Sequence, residues 1–134
     1  MLSRTTLAWA AVSVAAGVPL AGSADPWWRA FGRQQVGWAA VDVAIVVVVD
    51  TLRRRRMQRL GNAYAPAALA REGHTLRRVL LANAAADVGY VVLGGTLWRR
   101  HRERPAVAGT GAGIVVQGTF LFLQDAHHAG YGRP

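Results

Sequence analysis

The chain has 134 residues, enough for one domain, with 52% hydrophobic residues and a formal charge of +9. Its sixteen basic side chains are all arginine and there is no cysteine, which excludes a disulfide framework, a thiolate nucleophile and any cysteine-based metal site. Apolar content and charge are high together because they are segregated: four low-charge stretches alternate with arginine clusters.

The first stretch, residues 5–24 ("TTLAWAAVSVAAGVPLAGSA"), carries no charge. At ~1.5 Å per residue it matches the ~30 Å hydrocarbon core of a bilayer, and a retained spanning helix is expected. The rival reading is a secretory signal, because "MLSR", an apolar core and "AGSA" ahead of Asp25 resemble a basic start, a hydrophobic region and a small-residue cleavage site. Three spans would then remain. After a connecting segment, "DPWWRAFGRQQ", the second span is expected at 34–52, with Asp42 and Asp50 in it.

A basic loop over 53–78 follows, opening with Arg53, Arg54, Arg55 and Arg56. Within it "NAYAP" marks a break at Pro66, after which "AALAREGHTLRR" is expected to run as a helix into a third span at 79–98. The fourth span is expected at 105–125. The fold class is all-α, a polytopic transmembrane four-helix bundle in one domain. A soluble bundle would need a polar face on every helix, and the first and fourth stretches have none.

Arginine placement sets the expected orientation. The positive-inside rule puts the 53–78 loop in the cytoplasm, so both termini are cytoplasmic and "RRHRERP" faces outward. Trp27, Trp28, Trp38 and Trp98 are expected near span ends, where aromatic belts form. The Arg53 to Arg56 run reads as a topology determinant in contact with anionic lipid headgroups. A basic loop between two spans is not expected to bind nucleic acid.

Lipid offers no partner to an amide or a carboxylate, so polar residues inside the spans identify the interior. On the third span Asn83, Asp87, Tyr90 and Gly94 recur at intervals of four, three and four. On the fourth, Gly113, Gln117 and Gln124 share a face; on the second, Gln35, Trp38 and Asp42 do. Together these predict an intramembrane polar seam of Asp42, Asn83, Asp87, Tyr90 and Gln117. The first span, poor in polar groups, is expected to lie outside it. Asn and Gln in such a seam act as interhelical glue, while Asp42 and Asp87 could share a proton or bind a cation. Asp50, beside the arginines, is expected in an interfacial ion pair.

The tail "QDAHHAGYGRP" brings Asp125, His127 and His128 together as an interfacial metal site or, on the blander reading, a hydrated His–Asp pair. Haem ligation by His127 or His128 lacks an attachment motif, and "GTGAG" lacks the Gly-Lys-Ser/Thr ending of a phosphate loop. No cofactor is expected.

"LLANAAADVGY" followed by "GTGAGIVVQGTFLFLQDAHHA" resembles an uncharacterised family of small four-helix bacterial integral membrane proteins. The matching positions are Asn83, Asp87, Val88, Gly89, Tyr90, Gly109, Gly111 (or Gly113), Gln117, Gly118 and Asp125. The family often has Asn where this chain has Asp42. The resemblance implies a multi-pass protein of the bacterial inner membrane and carries no activity. The expected function is a non-enzymatic oligomeric or accessory module, self-associating or bound to a membrane partner. The rival is a minimal proton or ion pathway using the intramembrane aspartates.

Overall fold

The structure, a computed structural model, describes residues 2–59 and 66–131. The protein is all-α, with four helices in order: α1 (Leu2–Ala21), α2 (Pro26–Arg59), α3 (Pro66–Arg100) and α4 (Pro105–Tyr131). Apart from Pro66, which opens α3, the break expected at "NAYAP" lies outside the described residues.

Three of the helix boundaries fall where proline fits the first helical turn, because its missing N–H would be unpaired there in any case. At Pro26 the start is also capped. The Asp25 Oδ1 accepts the backbone N–H of Trp27 at 2.7 Å and of Trp28 at 3.3 Å. Arg29 holds the preceding turn, its guanidinium donating to the Ser23 and Ala24 carbonyls at 2.9 and 2.7 Å. This is why "PWWRAFGR", expected as a connection, is helical. Asp25→Ala is expected to cost about 1 kcal/mol. Hydrogen–deuterium exchange should then quicken at Trp27 and Trp28 and leave the middle of α2 unchanged.

The basic run is helical too. Arginine is a good helix former, and neither glycine nor proline falls between Gly37 and Arg59 in α2. Arg54 pairs with Asp50 one turn back, at 2.7 Å on an exposed face, which is the interfacial ion pair expected of Asp50.

Packing inverts the pattern of a soluble protein. Among the described residues, apart from Leu80, the buried hydrophobic residues are all alanines: Ala10, Ala39, Ala84, Ala108, Ala112 and Ala129. The largest fully buried side chains are polar, Gln117 and Asp42, while Ile45, Val47, Val48, Val49, Val92, Leu93 and Leu123 face outward. Water would penalise that exterior and hydrocarbon accepts it. Among the described residues, three segments are long and apolar enough to cross a membrane: Pro26–Arg56, Gly73–Arg100 and Pro105–Gly130. α1 has 20 residues but is diluted by Thr5, Thr6, Ser13 and Pro19.

α4 is the hub. It packs on α3 and α2, and α1 packs on α2. The closest approach is at Gly109, whose Cβ would run into the Trp27 carbonyl where α4 meets α2, and two glycine pairs come nearly as close. A Cβ at Gly32 would lie 2.6 Å from the Gly17 carbonyl oxygen, where α1 meets α2. Cβ atoms at Gly94 and Gly111 would lie 2.7 and 2.6 Å from each other's carbonyl oxygens, where α3 meets α4. Only glycine lets two backbones come this near.

Candidate functional site: the intramembrane polar seam

The seam is centred on Gln117 of α4, with no exposed surface. Its Nε2 donates to the Asp42 Oδ2 of α2 at 2.9 Å, and its Oε1 accepts the Trp9 Nε1–H of α1 at 2.9 Å. One amide therefore joins three helices using both its ends. Asp42 is 2% exposed and receives this hydrogen bond in an interior where an unpaired carboxylate would be costly. Trp9 also stacks on Phe120 of α4, ring centroids 4.0 Å apart. Two turns along α4, the Gln124 Nε2 donates to the Thr6 Oγ1 at 3.1 Å, a second tie between α1 and α4.

The first helix is thus part of the seam, which corrects the expectation that it lies outside. Thr6, Ala10, Ser13 and Gly17 form its buried stripe at intervals of four, three and four. That spacing was legible. What concealed it was the weak polarity of Thr, Ser and Trp, which hydropathy counts as nearly apolar although each carries a donor.

On α2 the buried positions are Gly32, Gln35, Ala39 and Asp42, so Ala39 takes the inner place and Trp38 turns aside. Trp38 lies well inside the helix, edge-on to Tyr90 at 5.8 Å, and not at a span end. On α3 the inner positions are Leu80, Ala84, Asp87 and Gly94. Tyr90, expected in the seam, is 44% exposed, because its ring goes to Trp38 on the flank of α3. Asn83 is also on that helix's outer side by exposure.

Asp87 and Asp125 are buried as well. Asp87 is 5% exposed, with Oδ2 lacking a hydrogen-bond partner, and Asp125 is 7% exposed. The structure therefore gives Asp42 to Gln117 and shows no hydrogen bond that ties it to Asp87, whose Oδ2 has no partner. At the tail, His128 Nδ1 lies 2.8 Å from the Gln124 carbonyl oxygen, and the His127 and His128 rings meet edge to face at 5.4 Å. Among the described residues, no three His, Asp or Glu side chains gather as a metal site. Buried polar atoms also without a partner are Ser13 Oγ, Gln35 Nε2 and Arg77 Nε.

Residues 5–126, which span α2, α3 and most of α1 and α4, match a family of unknown function (DUF6992). The chain belongs to that family. No curated protein and no solved structure matches it. The family has no known function, and at the coarse level the geometry fits this DUF6992 protein as a small multi-pass membrane protein of four helices, three of them long and apolar enough to span.

Proposed function

We propose that this DUF6992 protein is a non-enzymatic, self-associating or accessory module of the bacterial cytoplasmic membrane. The observation that carries the proposal is the Trp9–Gln117–Asp42 chain. Its amide, indole and carboxylate are engaged with one another inside the bundle, so they tie helices together and are not presented to a substrate. The outer face of α2 and α3, a broad apolar surface of valine and leucine, is what such a module offers to lipid or to a neighbouring helix.

The same helices support the proposed orientation. α2 has 34 residues and is about 51 Å long, so it outruns a ~30 Å hydrocarbon core. Its excess carries Arg53, Arg54, Arg55 and Arg56, all exposed, at the level of anionic headgroups on the cytoplasmic side. Retention of α1 is supported by its ties to α4 through Thr6 and Trp9.

Two differently tagged copies, co-expressed and extracted into native lipid discs, are expected to co-purify. Reporter fusions at the C-terminus should read as cytoplasmic and fusions beside Arg102 as external. Discs holding single chains with no stoichiometric membrane partner would defeat the module reading. External signal from the C-terminal fusion would reverse the orientation.

A further inference from the structure

The Gly94–Gly111 contact brings α3 and α4 together, and beside it the two helices leave a groove. A Cβ at the next residue, Gly95, would meet nothing within 4 Å, so the backbone there is open. The groove holds about 290 Å³ and is lined by Val91, Gly95, Trp98, Arg99 and Arg102 on the α3 side and by Val115 of α4. Val91, Gly95, Trp98 and Arg102 recur at steps of four, three and four, a stripe that runs off the end of α3 into the following turn.

The groove has two chemical parts. Val91, Gly95 and Val115 are apolar and lie within the spanning segments Gly73–Arg100 and Pro105–Gly130. Arg99 and Arg102 stand at the segment's end, both exposed, and neither side chain has a hydrogen bond or ion pair with another described residue. Glu103, the acid beside them in sequence, pairs with neither. Two free guanidiniums at the edge of hydrocarbon draw an anion more strongly than they would in bulk water. From Val91 to Arg99 the stripe covers ~12 Å of helix axis, most of the ~15 Å depth of one leaflet's hydrocarbon.

We propose that this groove binds one anionic glycerophospholipid, its phosphate on Arg99 and Arg102 and the start of one acyl chain against Val91, Gly95 and Val115. A guanidinium takes two phosphate oxygens through paired N–H donors. Trp98, 45% exposed, sits where an indole suits the headgroup level. The volume is at the low end of the ~300–1,000 Å³ of small-ligand sites, room for part of a lipid and not the whole. A zwitterionic headgroup would bring its ammonium beside two cations, and free phosphate would leave the apolar wall uncovered. The site is separate from Arg53 to Arg56, whose hollow is lined by Asp50, Arg53, Arg54 and Gln58 of α2 and offers charge without an apolar wall. The inference goes beyond the module reading and depends neither on association of copies nor on orientation.

The test is native mass spectrometry of the full chain in detergent, titrated with phosphatidylglycerol, with circular dichroism to confirm helix content. The wild-type chain is expected to retain one phosphatidylglycerol and little phosphatidylcholine. Arg99→Gln with Arg102→Gln should weaken retention about tenfold or more. Gly95→Leu should weaken it with every charge in place, because its side chain fills the groove from a position that meets no neighbour. Arg100→Gln with Arg104→Gln removes the same charge from the same end and should leave the lipid bound. Inorganic phosphate in large excess should not displace it. Equal loss in the two double variants would reduce the effect to general surface charge, and wild-type retention by Gly95→Leu would put the lipid elsewhere. Either result overturns the proposal. So would equal retention of phosphatidylcholine, or displacement by inorganic phosphate, which would mark a soluble-anion site.

Discussion

Gly111→Val is expected to unseat α3 from α4 and destabilise the bundle by about 1–3 kcal/mol or more. The Cβ alone would lie 2.6 Å from two backbone atoms of α3, the Gly94 carbonyl oxygen and the Trp98 amide nitrogen. A crowded side chain can change rotamer, but a helical backbone can only move as a whole. The axes must therefore separate, and the close contacts along the interface are lost together. Gly94→Val should do the same from the opposite side, since its Cβ meets the Gly111 carbonyl oxygen at 2.7 Å. Gly89→Val is the control, because a Cβ there meets nothing within 4 Å. Denaturation in detergent, followed by circular dichroism, separates these cases. A Gly111→Val protein as stable as Gly89→Val would show that the two backbones do not touch.

Gln117→Leu is expected to be the most damaging change on the seam. Leucine fills similar volume, so the loss is of hydrogen bonds and not of packing. Both the Asp42 carboxylate and the Trp9 indole N–H would lose the partner that Gln117 supplies. An unsatisfied buried group costs about 1–3 kcal/mol, and more when charged, whereas an average hydrogen bond between membrane helices contributes about 0.6 kcal/mol. The carboxylate decides the balance, and a loss of about 2 kcal/mol or more is expected. Removing the charge as well should recover part of it: Gln117→Leu with Asp42→Leu is expected to be more stable than Gln117→Leu alone. A double-mutant cycle in detergent measures this coupling. Additive effects of the two substitutions would mean that the 2.9 Å contact contributes nothing to stability.

Much of this was legible along the chain, and the residues show why the rest was not. Four apolar blocks between arginine clusters mark four helices, since segregation of charge is visible without coordinates. Helix ends were less visible. "PWWRAFGR" and the arginine run look like connections when hydropathy is the guide, yet the Asp25 cap and the helix propensity of arginine carry α2 through both. Period alone picked out Asp42, Asp87 and Gln117 as inward residues, because a group that lipid cannot solvate has one direction to turn. It could not say which acid meets which partner. That depends on how α4 lies between its neighbours, and a rotation of a few tens of degrees exchanges Ala39 for Trp38, or Ala84 for Asn83, on the inner face. Trp9 went unnoticed for a different reason. Its single N–H is a minor part of a large apolar ring, and its importance appears only when Gln117 is opposite.

The central position of α4 has a consequence for how the protein is made. α4 is the last of the four helices to leave the ribosome, yet it supplies the amide for Asp42 and the partner of Thr6. Until it arrives, the earlier helices enter the bilayer with their polar groups uncompensated. Assembly in the membrane is therefore post-translational in character, and a chain cut short before Pro105 is left with exposed carboxylates in hydrocarbon. That is the kind of orphan that membrane quality control recognises.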